Sequence, residues 1–123
     1  SSQRVRLAVL MQEMFRRVGV DMQVERLEFN TLNERLATGR FDAALMALSA
    51  DPKLGGIRGV WGRADGPSGS GVNFGRYASA RFEAALDSAD AQRDAAAARR
   101  AYRAAYDIIL EEAPAIWLYE PWA

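Results

Sequence analysis

The sequence predicts an α/β fold, in which helices cover a largely parallel sheet. Two observations support this prediction: apolar residues recur at helical spacing in several long segments, and three shorter segments have the composition of strands. The order strand, helix, strand in the first half of the chain is typical of a βαβ unit with a right-handed crossover. A chain of 123 residues has the length of one domain, so we expect residues 1–123 to form a single α/β lobe.

The first half of the chain begins with a predicted amphipathic helix over residues 3–18, followed by Gly19 as a helix stop. Residues 20–27 alternate between apolar and polar side chains, which predicts a strand. The sequence from Thr31 to Glu34 has the form of a capping box, and it predicts a short helix that ends at Gly39. A second strand is predicted at the apolar run 43–48, which lacks alternation, as in strands covered on both faces.

The second half begins with a glycine-rich stretch, residues 49–78, which predicts a long loop inside the lobe. Ser79 is a predicted N-cap, and it introduces a helix marked by apolar residues on one face. A further helix is predicted from about Ala91 to Glu112, ended by Pro114. Residues 115–119 are mostly large and apolar, which predicts a final strand.

The composition excludes several classes of function. The chain has no cysteine and no histidine, which removes Ser-His-Asp and Cys-His catalysis, ordinary zinc sites and disulfides. Its net charge is zero, which argues against bulk attraction to nucleic acid, and no apolar run is long enough to span a membrane. A hydrolase that uses only carboxylates stays formally open, but no nucleophile elbow or ligand cluster is present. The composition thus leaves few routes to catalysis, and we expect no cofactor or metal.

Four segments follow one another along the chain: LAVLMQEMFRRVGVDMQVERLE, TGRFDAALMALSADP, NFGRYASARFEAALDSA and RRAYRAAYDIILEEAPAIWLYEP. The last has the form of a closing helix, an Ala-Pro break and a Leu-Tyr strand, and it is the most specific. Together they resemble the C-terminal lobe of the family 5 extracellular solute-binding proteins of bacterial ABC importers, which include peptide- and nickel-type members. The resemblance implies a protein that is not an enzyme.

The resemblance implies a function in solute uptake. It implies a lobe that clamps a peptide or another small amine-bearing solute against a second lobe, in a periplasmic or extracellular parent that can carry a lipid anchor. An ABC permease is the implied partner of that parent. We expect weak or no ligand binding by one lobe alone, and self-association through the surface meant for the other lobe. The alternative is a solute-sensing module of a transcriptional regulator that carries its DNA-binding domain elsewhere.

Four residues are the candidate ligand contacts. By resemblance Asp51 pairs with the ligand's amino group, since carboxylates after a strand's C-terminal end lie where α/β sheets bind ligands; as a plain turn residue it would only introduce Pro52. Asn73 and Arg76 offer amide and guanidinium donors to a ligand, or serve the loop itself. Trp61 stacks on a ligand or fills the seam between lobes.

Three further features carry a structural and a functional interpretation. Tyr77 is expected to pack rather than to bind ligand. Arg58 and Arg63 could pair with a ligand carboxylate, although solvated loop arginines are commoner. Glu111 and Glu112 are adjacent on a helix, so their side chains diverge and we expect a surface location.

Overall fold

All regular secondary structure in the part of the chain that the structure describes is helical. The computed structural model describes residues 2–48, 53, 55–63 and 71–119. Five helices follow one another, and no strand occurs among these residues. The helices are α1 (Ser2–Arg17), α2 (Phe29–Thr38), α3 (Gly56–Trp61), α4 (Ala80–Asp90) and α5 (Ala95–Glu112).

The α/β prediction is therefore wrong for the described residues. Residues 20–27, 43–48 and 115–119, expected as three strands, form no sheet. A helix satisfies its backbone hydrogen bonds within its own segment, whereas a strand needs a neighbouring strand at every residue. Alternation and β-branched residues indicate that a segment is suited to a sheet, but they do not supply the neighbour. Several apolar side chains of these segments are exposed as a result, among them Val20, Val24, Ile116 and Leu118.

The chain divides into two compact units, Ser1–Ala47 and Leu48–Ala123. In the first unit, α1 ends before Gly19, whose backbone is left-handed (φ 83°), and α2 ends at Gly39 in the same conformation (φ 70°). Both glycines therefore act as the predicted helix stops. The start of α2 differs from the prediction: the helix begins at Phe29 after Glu28, so the expected capping box does not open it.

The first unit buries few apolar side chains, and polar contacts connect its segments. The Gln12 side-chain amide donates to the Met22 carbonyl at 2.7 Å, and Arg35 forms a two-pronged ion pair with Glu25 at 2.6 and 2.9 Å. Leu36 is the buried hydrophobic residue of this unit among those described, and α1 buries none. The first unit thus has a small apolar core.

The second unit has a well-formed core between α4 and α5. A short connection joins the two helices, which pack as an antiparallel αα-hairpin. Ser79 Oγ accepts a hydrogen bond from the Phe82 amide (3.2 Å) and caps α4, as predicted, while Asp94 caps α5 through the Ala97 amide at 2.7 Å. Within the segment 49–78, expected as a loop, α3 packs on this hairpin. The buried core consists of Ile57, Phe82, Leu86, Ala89, Tyr102, Ala105 and Ile109.

Candidate functional site

The loop that leads into α4 is organised around one buried amide, that of Asn73. Asn73 is 7% exposed, and its Nδ2 donates to the carbonyls of Gly62 (3.1 Å) and Tyr77 (2.8 Å). Its Oδ1 accepts from the Tyr77 amide at 2.9 Å. These contacts join the end of α3 to the loop before α4, so that Asn73 holds together two segments that carry other candidate residues.

Trp61 lies at the end of α3 and is partly buried in an aromatic cluster. Its ring meets Tyr77 edge-on with the ring centres 6.1 Å apart, and it meets Trp117 edge-on at 5.5 Å. Tyr77 in turn packs against Phe82 of the core at 5.7 Å. Edge-to-face contacts of this kind contribute about 0.5–1.5 kcal/mol each beyond the area buried. The aromatic cluster of Trp61, Tyr77 and Trp117 therefore connects the loop and the C-terminal tail to the core.

Trp117 and Arg76 form the exposed part of this region. Trp117 lies in residues 115–119, which were expected as a strand, but the segment is not a strand and the Trp117 side chain is 53% exposed. Arg76 is exposed and has a left-handed backbone (φ 54°), an unusual conformation for a residue other than glycine. Its amide donates to the Asn73 carbonyl at 3.0 Å, which closes a tight turn. The turn presents the Arg76 side chain outside the buried part of the loop.

The aromatic cluster is anchored at its far side by a carboxylate of α5. The Tyr77 hydroxyl donates to Glu112 at 2.5 Å, and Ser79 Oγ donates to the other oxygen of the same carboxylate at 3.1 Å. Burial, together with this bond to Glu112, raises the pKa of Tyr77 above its ordinary value. Glu112 was expected at the surface, and its side chain is 28% exposed. Glu111 lies further out, paired with Arg81 at 2.6 Å.

A second polar cluster, which the sequence analysis missed, lies where α3 meets α4. Arg58 of α3 contacts Glu83 at 3.3 Å and Asp87 and Asp90 at 2.9 Å each, and its side chain is 15% exposed. Burial acts to lower the pKa of Arg58, but the hydrogen bonds to Asp87 and Asp90 outweigh it, so that pKa is raised. The sequence held one sign of this cluster: the spacing of its three acids, which places them on one face of α4.

The Arg58 cluster extends to α5 through Tyr102. The Tyr102 hydroxyl donates to the second carboxylate oxygen of Asp90. This hydrogen bond and burial raise the pKa of Tyr102. Every buried side-chain nitrogen and oxygen among the described residues has a hydrogen-bond partner. The buried polar side chains described in the second unit are therefore all occupied by bonds within the protein.

The four predicted site residues have different locations. Asp51 lies outside the described residues. Asn73 donates to the carbonyl of Gly62, the residue after Trp61, so these two predicted residues lie close together. Arg76 belongs to the same loop as Asn73. An open cavity of about 330 Å³ occurs in the first unit, but none of the four lines it. Its lining consists of Val9, Gln12, Glu13, Arg16, Asp21 and Met22.

The described residues were also compared with the requirements of a metal site and of a membrane-spanning helix. Its carboxylates form no group of three or more that could hold a metal ion. None of the helices described is long and apolar enough to cross a membrane.

Comparison with known proteins yields no matching family model, no curated relative and no matching solved structure. The structure itself gives only a small helical chain and no evidence for transport or solute binding. The α/β description is wrong, and the functional interpretation depends on the sequence segments.

Proposed function

We propose that this chain is a solute-recognition lobe that binds a peptide or another small solute with a free amino group. The support is the order of four sequence segments that resemble solute-binding proteins of ABC importers. The structural feature on which the proposal draws is the aromatic cluster beside the Asn73 loop. It joins Trp61 to Tyr77 and Trp117, and Trp117 is half exposed.

The proposed recognition combines one charge with aromatic and guanidinium contacts. Asp51 pairs with the ammonium group of the solute, because an ionic hydrogen bond to a carboxylate is stronger than a neutral one. The partly exposed rings of Trp61 and Trp117 pack on the apolar part of the solute. Arg76, exposed on its turn, is placed to contact a carboxylate or carbonyl of the solute.

A single lobe covers only one side of such a solute, so binding to this chain alone is expected to be weak. Tight sites bury most of the ligand surface, and closing a second lobe over the ligand supplies the rest. We expect a dissociation constant on the order of 1 mM or weaker for the isolated chain. NMR titration of the labelled chain measures binding in this range.

The decisive probe is a pair of peptides that differ only in the amino group. Trialanine should shift the amide signals of the Asn73 loop and the indole signal of Trp61, whereas N-acetyl-trialanine should shift them much less. Asp51→Asn should weaken trialanine binding by about 1–3 kcal/mol. Asp107→Asn, which changes an exposed acid of α5, is the matched control and should leave binding unchanged.

Two results would contradict the proposal. The first is the absence of shifts in the loop and the Trp61 indole with trialanine at concentrations well above the expected dissociation constant. The second is equal binding of both peptides together with an unaltered affinity in Asp51→Asn, which would return Asp51 to the role of a turn residue.

A further inference from the structure

We propose that residues 55–63, which contain α3 and are called here the α3 strap, open and close on the α4–α5 hairpin as a separate unit. Arg58 is the positioning residue that holds the strap closed. The inference concerns a conformational device of the fold and does not depend on the proposed solute.

The strap closes over the apolar core of the hairpin. Ile57 is 3% exposed and belongs to the same cluster as Phe82 and Leu86, both of which are fully buried. Val60 is also buried, and Trp61 contacts the aromatic ring of Tyr77. Opening the strap would therefore expose part of the α4 face and separate Trp61 from Tyr77.

The polar attachment of the strap to the hairpin centres on one side chain. Arg58 bonds to Glu83, Asp87 and Asp90 on α4 within 3.3 Å, and Asp90 is linked to α5 by the Tyr102 hydroxyl. The Arg63 amide adds a bond to Glu83 at 2.9 Å. Loss of the guanidinium would remove the ion pairs that hold the strap. It would also leave three neighbouring carboxylates on one helix face, which repel one another.

The strap and the hairpin differ in what stabilises them. A helix of six residues is too short to be stable by itself, and Gly56 and Gly59 within it lower its helical propensity further. The hairpin helices are longer, carry side-chain N-caps and bury most of the core with each other. Segments that depend on docking open at lower free energy than the core to which they dock.

Hydrogen exchange of individual amides tests the inference. In the unmodified chain, the amides of α3 and the Gly62 amide, which donates to the Arg58 carbonyl at 2.8 Å, should exchange faster than those of α4 and α5. Arg58→Met should raise the exchange rates of the strap about tenfold or more and leave the α4 and α5 rates unchanged. Arg58→Lys, which keeps the charge but not the forked geometry, should give an intermediate rate.

Two further variants complete the test. Arg81→Met removes an arginine that forms ion pairs with Glu111 and Glu112 away from the strap, and it should leave strap exchange unchanged. Asp87→Asn removes one contact of Arg58 at a side chain that is 75% exposed, and it should raise strap exchange by a smaller factor without unfolding the hairpin. It supplies the measurement if Arg58→Met does not fold.

The inference is overturned if strap, α4 and α5 amides exchange at one common rate, because opening would then be global. Unchanged strap exchange in both Arg58→Met and Asp87→Asn would also overturn it. Equal acceleration by Arg81→Met would show that the effect is one of charge in general rather than of the Arg58 contacts.

Discussion

At the scale of single residues, Ala113 has a backbone conformation that is costly for a residue with a Cβ atom. It follows the last residue of α5 in a left-handed conformation (φ 46°), and its amide donates to the Ile109 carbonyl at 2.9 Å. Helices commonly end in this way, but the position is usually occupied by glycine, because a Cβ atom makes the conformation costly. The end of α5 thus carries a local strain that a single substitution can relieve.

Ala113→Gly should therefore stabilise the second unit by about 0.5–1 kcal/mol. The gain from relieving the left-handed conformation exceeds the added freedom of glycine in the unfolded chain. Urea denaturation followed by circular dichroism measures the change. The matched control is Ala104→Gly, an exposed position inside the same helix, where the substitution should cost about 1 kcal/mol. Destabilisation by both variants would contradict the prediction.

At the scale of elements, the contact between the α3 strap and the following loop depends on a close backbone approach. Val72 donates its amide to the Gly59 carbonyl at 3.2 Å, and a Cβ atom on Gly71 would lie 2.3 Å from the same oxygen. Real Cβ atoms do not approach that closely, so any side chain at this position would push the strap away from the loop.

Gly71→Ala should destabilise the second unit by about 1–3 kcal/mol, because the strap or the loop must move to make room. Gly75→Ala in the same loop is the control, since a Cβ atom there meets nothing within 4 Å and the backbone is not left-handed. We expect its effect to be within about 0.5 kcal/mol of zero. Urea denaturation of the two variants compares them, and equal effects would show that the close approach does not matter.

The elements also show how far sequence patterns predict this structure. Helix α1 was expected over 3–18 and spans Ser2–Arg17, and Gly39, Ser79 and Glu112 mark helix boundaries as predicted. These features depend on residues a few positions apart, which a sequence displays directly. Arg58 binds acids 25 to 32 positions away, and Asn73 binds the Gly62 carbonyl 11 positions away as well as the nearby Tyr77. The spacing of the acids indicates a charged face of α4, but only the fold shows which arginine meets it.

At the scale of the whole molecule, few kinds of side chain change their charge in alkaline solution. Lys53 is the only lysine in the sequence, and the other basic side chains are arginines, which stay charged. Tyrosines therefore dominate the ionisation of side chains between about pH 9 and 11. Two of the four tyrosines, Tyr77 and Tyr102, have raised pKa values in the fold.

The unfolding temperature of the second unit should therefore fall as the pH rises above about 10. A raised pKa means that the folded state favours the neutral phenol, so its contribution is complete below the ordinary tyrosine pKa. It is lost as the pH rises through the raised values. Calorimetry over this pH range measures the effect. A variant with both Tyr77→Phe and Tyr102→Phe should show a much weaker pH dependence, whereas Tyr106→Phe, at an exposed tyrosine, should behave like the unmodified chain. If the unfolding temperature fell with pH at the same slope in all three proteins, the effect would not come from Tyr77 and Tyr102.

The sequence by itself determined four of the five helices, α1, α2, α4 and α5, and several of their ends, because a helix forms its hydrogen bonds and caps within one short segment. It did not indicate α3, which lies in a stretch expected as a loop. It also determined the absence of histidine and cysteine chemistry, since composition alone excludes it. Only the tertiary structure decided that residues 20–27, 43–48 and 115–119 form no sheet among the described residues. It also decided that Arg58, Asn73 and Glu112 connect separate segments. The physical reason is the same in each case: a strand, a buried amide and a buried ion pair all require partners from distant parts of the chain.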